Sequence, residues 1–351
     1  MRKKCLLIAI VSILFVAGVF SFHRLGYASE LNFSVNTLIP ENQTDRSKTY
    51  FDLRMKPSQN QTLEIMLRNN TDKDVKINPA IHSAKTNMNG VVEYGYNEIE
   101  EDPSLLYKME DLVTTEKEIL IPAKGTYRLK LQVNMPDEPF DGILAGGITL
   151  QETDYDTKES KEQGVSIGNK YAYVVAIILS ENDQAVSPEL QLHDVFPDQV
   201  NARNVIKANI QNKMPMFMNK MSVDAKVTKK GEKEVLYQSS QEGLQMAPNS
   251  NFNYPISLNG EKMQSGEYTL ELTVASMGKT WNWKKDFKIE SKLANTLNDT
   301  DVTASKDYTW VFVALGVFLV FSSILLVLFW YRRKKRKKHD VQEGKATDSV
   351  L

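Results

Sequence analysis

The chain has 351 residues, of which 42% are hydrophobic and 25% charged, with a formal net charge of −1. Its single cysteine, Cys5, excludes an intramolecular disulfide, so packing alone must stabilise the fold. The first 28 residues hold four basic residues and no acid, and residues 332–351 hold eight basic and three acidic residues. The 31 basic and 41 acidic residues between them carry a net charge of −10, which disfavours nucleic acid and anionic wall polymers as partners.

The N-terminus has the pattern of a secretory signal peptide. Arg2 to Lys4 form a positive start, and Cys5 to Phe22 form an apolar stretch. Gly26-Tyr27-Ala28 places small residues at the positions that a signal peptidase requires. We predict a signal peptide over residues 1–28, cleaved after Ala28. Because the apolar stretch is long for a signal peptide, an uncleaved anchor is the alternative.

Short alternating runs separated by Gly, Asn, Asp and Pro follow, a pattern that is typical of antiparallel strands. Leu63 to Leu67 alternates between apolar and polar residues, and Val91 to Tyr96 is another candidate strand. One segment, Ser104 to Leu112, favours a helix. Because helices and strands do not alternate, an α/β enzyme is disfavoured. The sequence predicts an all-β fold of two immunoglobulin-like antiparallel β-sandwich domains, at residues 29–155 and 156–292, plus one C-terminal transmembrane helix.

Several features locate the two domains relative to each other. The charged segment Glu152 to Gly164 marks the boundary, and the apolar stretch Tyr171 to Leu179 is predicted to open the second domain as a central strand buried on both faces. The motif G-x-Y-x-L-x-L-x-V occurs at Gly125 to Val133 and again at Gly266 to Val274. We interpret it as the same late strand in each sandwich; two independent strands are the alternative. Ala145 to Gly147 either lets another backbone approach closely or marks a β-bulge.

The C-terminal part predicts a membrane anchor. A polar stalk is expected at residues 293–308. Thr309 to Tyr331 carries no charge and, at ~1.5 Å per residue, spans about 34 Å as a helix, enough to cross a bilayer. Seven basic residues follow, Arg332 to Lys338. We therefore predict a single-pass protein of the cell membrane, with an extracellular ectodomain and residues 332–351 as a short basic cytoplasmic tail.

A search for catalytic groups finds no enzyme signature. His82 and His193 lie in different predicted domains and have no cysteines with which to share a zinc ion. The densest carboxylates are Glu100-Glu101-Asp102 and Asp137-Glu138 with Asp141. We interpret them as solvated loops, with a carboxylate-dependent wall hydrolase as the alternative.

Calcium is considered at two further places. Asp72-Lys73-Asp74 and Asn298 to Asp301 supply oxygen atoms, but neither has the spacing of a known calcium loop. The sequence therefore predicts no enzyme, no cofactor and no metal site.

Aromatic and amide side chains supply the candidate binding residues. Aromatic faces stack on sugar rings, and amides bond to hydroxyl groups. Two tyrosines on one face of the strand beside the turn at residues 87–90, with the amides around them, form the candidate glycan groove: Asn87, Asn89, Tyr94, Tyr96 and Asn97. Trp281 and Trp283 share a face of the last strand and are candidate partner-binding residues, because tryptophan is a frequent binding anchor. Core packing is the alternative in both places.

Taken in order, several segments resemble the WxL-interacting proteins of Gram-positive Firmicutes, over nearly the whole chain. The segments that carry the resemblance are Phe33-Ser34-Val35, Ile39 to Gln43, Tyr50 to Leu53, Pro57 to Gln61, Thr86 to Gly90 and Phe140 to Ile148 in the first domain, and Ile167 to Tyr173 and Met246 to Ser250 in the second. The C-terminal span and basic tail fit as well.

The resemblance implies a membrane-anchored surface scaffold. It implies that the first domain binds peptidoglycan and that the second binds WxL-domain surface proteins or host extracellular proteins, without catalysis. The alternatives are a cell-wall glycan hydrolase and a membrane-tethered chaperone or sensor of exported proteins.

Overall fold

The computed structural model describes residues 31–153, 171–303 and 309–347. These residues form two β-sandwiches followed by a long helix. The predicted signal peptide at residues 1–28 and the stalk positions 304–308 lie outside the described residues, as do the last four residues of the predicted tail.

The first sandwich packs a four-stranded sheet against a five-stranded sheet. In spatial order, the four-stranded sheet contains β1 (Phe33–Leu38), β3 (Asn60–Asn69), β9 (Thr126–Asn134) and β7 (Val113–Thr115). In spatial order, the five-stranded sheet contains β2 (Phe51–Arg54), β11 (Ala172–Ser180), β10 (Ile143–Glu152), β4 (Val75–Ser83) and β8 (Ile119–Ile121).

Short elements complete the first sandwich. β5 (Lys85–Thr86) and β6 (Val92–Glu93) form a two-stranded hairpin, so the predicted strand at residues 91–96 is shorter than expected. The predicted helix at residues 104–112 is reduced to the single turn α1 (Met109–Leu112), which buries Met109 and Leu112.

The second sandwich packs a three-stranded sheet against a four-stranded sheet. In spatial order, the three-stranded sheet contains β12 (Leu190–Val200), β13 (Arg203–Asn212) and β16 (Ser250–Ser257). In spatial order, the four-stranded sheet contains β15 (Val235–Met246), β14 (Met218–Lys229), β17 (Gly266–Ser276) and β18 (Lys279–Ile289). The neighbouring strands in both sheets are antiparallel.

The repeated sequence motif forms equivalent strands, as predicted. Its two copies are β9 and β17, each the third strand of a four-stranded sheet with a partner on both sides. In β9, Leu129, Leu131 and Val133 are buried while the residues between them are exposed. Side chains alternate between the two faces of a strand, so this period directs one apolar row into each core.

The apolar stretch at residues 171–179 corrects the predicted domain boundary. It forms β11, which pairs antiparallel with β10 and parallel with β2, so it belongs to the first sandwich and does not open the second. Val175, Ile177 and Leu179 lie in the first hydrophobic core. Only the C-terminal half of β11 is buried on both faces; the N-terminal half exposes its outer face.

The predicted stalk is also corrected over most of its length. Residues 291–300 form helix α2 (Ser291–Thr300), which packs on the second sandwich and buries Ala294. The side chain of Asp301 accepts a hydrogen bond of 2.8 Å from the backbone of Asn204, and Asn298 bonds to Asn204 and to the backbone of Met263. These contacts make residues 291–301 part of the second domain.

Gly146 and Gly147 lie where the chain packs closely against itself. A Cβ atom on Gly146 would lie 2.5 Å from the carbonyl oxygen of His82 and 2.7 Å from Cγ of Met109. One on Gly147 would lie 2.9 Å from Cβ of Tyr94. The register of β10 with both neighbours runs without a shift, so the glycines mark an approach within the chain and not the β-bulge considered above.

The two sandwiches meet at a polar junction organised by Asp102, which is only 5% exposed. Its carboxylate accepts hydrogen bonds from Gln211 Nε2 at 2.8 and 3.0 Å and from Asn251 Nδ2 at 2.7 Å, across the junction. It also accepts bonds from the backbone and hydroxyl of Ser104. Two backbone bonds, Gln245 N to Gly90 O and Ile143 N to Pro215 O, join the sandwiches directly.

We expect Asp102→Asn to loosen this junction by about 2–3 kcal/mol, because bonds to a charged acceptor are lost and an amide donor faces Asn251. Burial raises the pKa of Asp102, but the bonds from Ser104, Asn251 and Gln211 outweigh it and hold this pKa below its usual 3.8. Because the folded-state pKa is lowered, the Asp102 carboxylate stabilises the junction fully above pH 3.8. This stabilisation is lost as the pH falls through the folded-state pKa.

Limited proteolysis and calorimetry from pH 3 to pH 7 measure the stability of the junction between the two sandwiches. At neutral pH, Asp102→Asn should show the protease sensitivity and the unfolding temperature that the native chain shows at acidic pH. Asp137→Asn is the matched control, because Asp137 also accepts a serine hydroxyl, from Ser58, but on the exposed surface of the first sandwich. Equal effects of the two substitutions would contradict the role of Asp102.

The C-terminal helix α3 (Thr309–Thr347) carries one candidate membrane span, Val311–Trp330, with a mean hydropathy of 2.9. None of the span is buried against the sandwiches. An apolar helix of this length that is not buried against the described sandwiches fits a membrane anchor.

Candidate functional site

A groove of about 720 Å³ lies at one edge of the first sandwich. Tyr50, Tyr94 and Tyr173 line it, and we refer to it as the tyrosine groove. Its remaining wall residues come from β1, from Ile39 just after it, from residues 46–49 and from the start of β11. Phe33 supports the groove from the core, since its ring meets that of Tyr173 edge to face at 5.2 Å.

Strand edges of both sheets border the tyrosine groove. β2 pairs with β11 only along residues 177–180, so within the described residues no strand covers that side of residues 172–176. β1 is an outer strand of the opposing sheet. The groove therefore offers backbone donors and acceptors beside its aromatic rings.

The groove carries positive charge, part of which is balanced by a neighbouring carboxylate. Lys48 pairs with Asp52, and this hydrogen bond raises the pKa of the lysine. The Lys48 ammonium also lies 5.5 Å from the centre of the Tyr50 ring. Burial raises the pKa of Tyr94, which keeps its hydroxyl protonated and able to donate. With the exposed Arg46 at its rim, the groove suits a ligand with hydroxyl groups and a carboxylate.

The structure brings only one of the five predicted glycan-binding residues into this groove, namely Tyr94. Asn87 Oδ1 accepts the backbone N–H groups of Asn89 and Val91, so it holds the turn together, while Asn89 is exposed at the tip. Tyr96 is 76% exposed and meets the ring of His82 at 6.1 Å. The predicted strand ends before the two tyrosines, which separates them.

Asn97 also has a local structural contact, because its Oδ1 accepts the backbone N–H of Ile99. Sequence reasoning missed Arg46, Tyr50 and Tyr173 as groove residues. The available signal was the tyrosine pair at residues 171 and 173, which was interpreted as part of a fully buried strand.

The predicted partner-binding residues Trp281 and Trp283 lie on β18, an outer strand. Both are half-buried and pack against the second core, on the same face as the buried Phe287 and Ile289. Their role in partner binding stays a prediction.

The acidic clusters have structural partners. Glu101 pairs with Lys108 at 2.6 Å, and Asp141 accepts a bond of 3.0 Å from Asn182. Asp72 pairs with Lys124, and Asp74 accepts the backbone N–H of Ala123. Over the described ranges, no group of three or more His, Cys, Asp and Glu side chains is arranged to hold a metal ion.

Two family models match the chain in the predicted order. Residues 33–152 match the peptidoglycan binding domain of the WxL Interacting Protein, and residues 162–299 match its host binding domain. Two tandem binding domains define a cell-surface binding adaptor. The chain belongs to the family of WxL-interacting proteins.

Among solved structures, the chain is weakly similar to chaperones of bacterial fimbriae. A chaperone–tip adhesin complex of CFA/I fimbriae is 8% identical, with a TM-score of 0.30 over 74% of this chain and 98% of that one. The CupB2 chaperone of Pseudomonas aeruginosa is 11% identical, with a TM-score of 0.27 over 68% and 97%. The E. coli chaperone DraB is 13% identical, with a TM-score of 0.27 over 74% and 98%. Structural similarity this weak does not support a functional assignment. No curated protein matches the chain.

Proposed function

We propose that this protein is a membrane-anchored, non-enzymatic scaffold that binds peptidoglycan in the tyrosine groove. The observation that carries this proposal is the groove itself, in which every lining residue except 173–176 falls within the match to the peptidoglycan binding domain at residues 33–152. Residues 173–176 belong to β11, which completes the same sandwich. The groove combines three tyrosine rings, an exposed guanidinium group and open strand edges, which suit the hydroxyl, amide and carboxylate groups of the wall polymer.

The second sandwich then binds protein partners, namely WxL-domain surface proteins or host extracellular proteins. Its match to the host binding domain supports this part of the proposal. The helix α3 holds the chain in the membrane with the sandwiches outside and the basic tail in the cytoplasm, supported by the apolar span and the seven basic residues after it. The protein would thus connect membrane, wall and displayed proteins.

A binding assay with isolated peptidoglycan sacculi tests the groove. We expect Tyr50→Ala to weaken retention of the ectodomain about tenfold, which corresponds to ~1.4 kcal/mol, because a ring that covers the ligand is removed. Arg46→Glu should weaken retention as well, since the exposed cation at the rim becomes an anion. Thermal unfolding of each variant checks that the sandwich remains folded.

Tyr96→Ala is the matched control, because Tyr96 is an exposed tyrosine of the same sandwich outside the groove. Loss of retention in Tyr96→Ala with full retention in Tyr50→Ala would place the site at the turn of residues 87–97 instead. Release of soluble wall fragments by the unmodified ectodomain would contradict a non-enzymatic scaffold.

A further inference from the structure

A second cavity, of about 520 Å³, lies between the two sandwiches. Residues 86–100 of the first sandwich form one side, and the outer face of β12, β13 and β16 forms the other. This volume falls within the roughly 300–1,000 Å³ that is usual for small-molecule sites. We refer to it as the junction cleft; it is separate from the tyrosine groove, with which it shares no lining residue.

The floor of the junction cleft is a ladder of three amide side chains on neighbouring strands. Asn209 Nδ2 donates to Asn251 Oδ1 at 3.0 Å and to Asn253 Oδ1 at 2.8 Å. Both donor positions of Asn209 are thereby used. Within the described residues, the Oδ1 atom of Asn209 and the Nδ2 atom of Asn253 have no side-chain hydrogen-bond partner. The floor therefore presents one free acceptor beside one free pair of donors.

The ladder is held rigidly by the junction. Asn251 donates its amide to the buried carboxylate of Asp102, which also binds Gln211. Gln211 in turn bonds to the ring of His193 at 2.7 Å. Because these bonds fix the amides before any ligand arrives, little conformational entropy is lost on binding.

The other walls define the chemistry of a ligand. Met88, Ile99 and Phe196 supply apolar surface. Lys207, the one lysine among the described lining residues, pairs with Asp198 at 2.5 Å, while Glu98 and Glu100 are exposed at the rim. An anionic ligand such as a phosphate polymer is repelled by this rim. A ligand with apolar faces, amide groups and hydroxyl groups matches both the apolar walls and the amide floor of the cleft.

The geometry points to a second carbohydrate site in the junction cleft, for an uncharged oligosaccharide that carries N-acetyl groups. The acetamido N–H donates to Asn209 Oδ1, and its carbonyl oxygen accepts from Asn253 Nδ2. The sugar ring lies against Phe196 and Met88. Since both sandwiches line the cleft, an occupied site also strengthens the junction between them.

Titration of the full chain in detergent with chitotetraose, followed by calorimetry, measures this binding. Cellotetraose, which has the same backbone without acetamido groups, is the comparison ligand. We expect saturable binding of chitotetraose and at least tenfold weaker binding of cellotetraose, because the half-buried amides of Asn209 and Asn253 are then left unpaired by the ligand.

Asn253→Asp keeps the oxygen that accepts from Asn209 but replaces the free donor with an anion, so it should weaken chitotetraose binding at least tenfold. Asn282→Asp is the matched control on the exposed face of β18 in the opposite sheet and should bind as the native chain does. Met88→Trp, at a side chain that is 40% exposed, fills the cleft from the solvent side and should also abolish binding. The unfolding temperature of each variant confirms that it is folded.

Equal binding of the two tetraoses, absence of chitotetraose binding, or unchanged binding by both cleft variants would overturn the proposal. So would saturable binding of tetralysine in place of chitotetraose, which would assign the cleft to cationic peptides. Retention of the ectodomain on sacculi shows whether the glycan bound in the cleft comes from the cell wall. Asn253→Asp weakens this retention only if the cleft binds wall glycan. Failure of the peptidoglycan proposal is seen separately, in the Tyr50→Ala variant.

Discussion

A fragment that ends at residue 155 should not fold, whereas one that ends at residue 186 should. The shorter fragment contains the whole predicted first domain but lacks β11, which contributes Val175, Ile177 and Leu179 to the first core. Burial of each such side chain stabilises by about 1.5–3 kcal/mol, so three of them supply about 5–9 kcal/mol. This is comparable with the ~5–15 kcal/mol that stabilises an ordinary domain.

The longer fragment also keeps contacts that follow β11. Arg54 pairs with Asp183, and Glu181 accepts the backbone N–H of Phe140. Without β11, the apolar strand β10 loses one of its two antiparallel partners and exposes a long edge, which promotes aggregation. Circular dichroism and denaturant unfolding of fragments 31–155 and 31–186 check this expectation.

A point substitution tests the same conclusion in the intact ectodomain. Ile177→Ala should lower the unfolding free energy of the first sandwich by about 2–5 kcal/mol, because a fully buried side chain is truncated. Val174→Ala, on the same strand but at a side chain that is 47% exposed, should cost little. A cooperative unfolding transition in the 31–155 fragment would show that β11 is dispensable.

The second large effect is expected for substitutions of Gly146. In Gly146→Ala, the new methyl group meets the backbone oxygen of His82 at 2.5 Å, and β10 cannot move away because it pairs with β4 across this residue. Overpacking of this kind costs about 1–3 kcal/mol. Gly146→Val adds two further methyl groups beside Met109 and should leave the first sandwich unfolded. Denaturant unfolding measures both variants.

Gly95→Ala is the matched control for this prediction. Its new methyl group meets the side-chain hydroxyl of Thr149 at 3.1 Å and Val174 at 3.6 Å, and a side chain gives way more easily than paired backbone. We expect a change of less than about 0.5 kcal/mol. Similar losses in Gly95→Ala and Gly146→Ala would argue against the close backbone approach at Gly146.

Local patterns in the sequence were sufficient for the class of fold. The alternation in Leu129 to Val133 directs a strand face inward whatever its neighbours are, and its repetition at residues 266–274 indicated a second sandwich. The uncharged run at residues 311–330 likewise indicated an apolar helix without reference to the rest of the chain. Such features depend on residues that are close in sequence.

The domain boundary and the binding surfaces depended on residues that are far apart in sequence. The parallel pairing of Ile177 with Phe51 joins strands from opposite ends of the first sandwich, and no local pattern encodes that choice. The tyrosine groove gathers Tyr50, Tyr94 and Tyr173 from three segments. Composition and period fix which face of each strand is apolar, because this follows from side-chain chemistry along a single strand. The tertiary structure decides which strands become neighbours, and therefore which polar and aromatic side chains meet at a site.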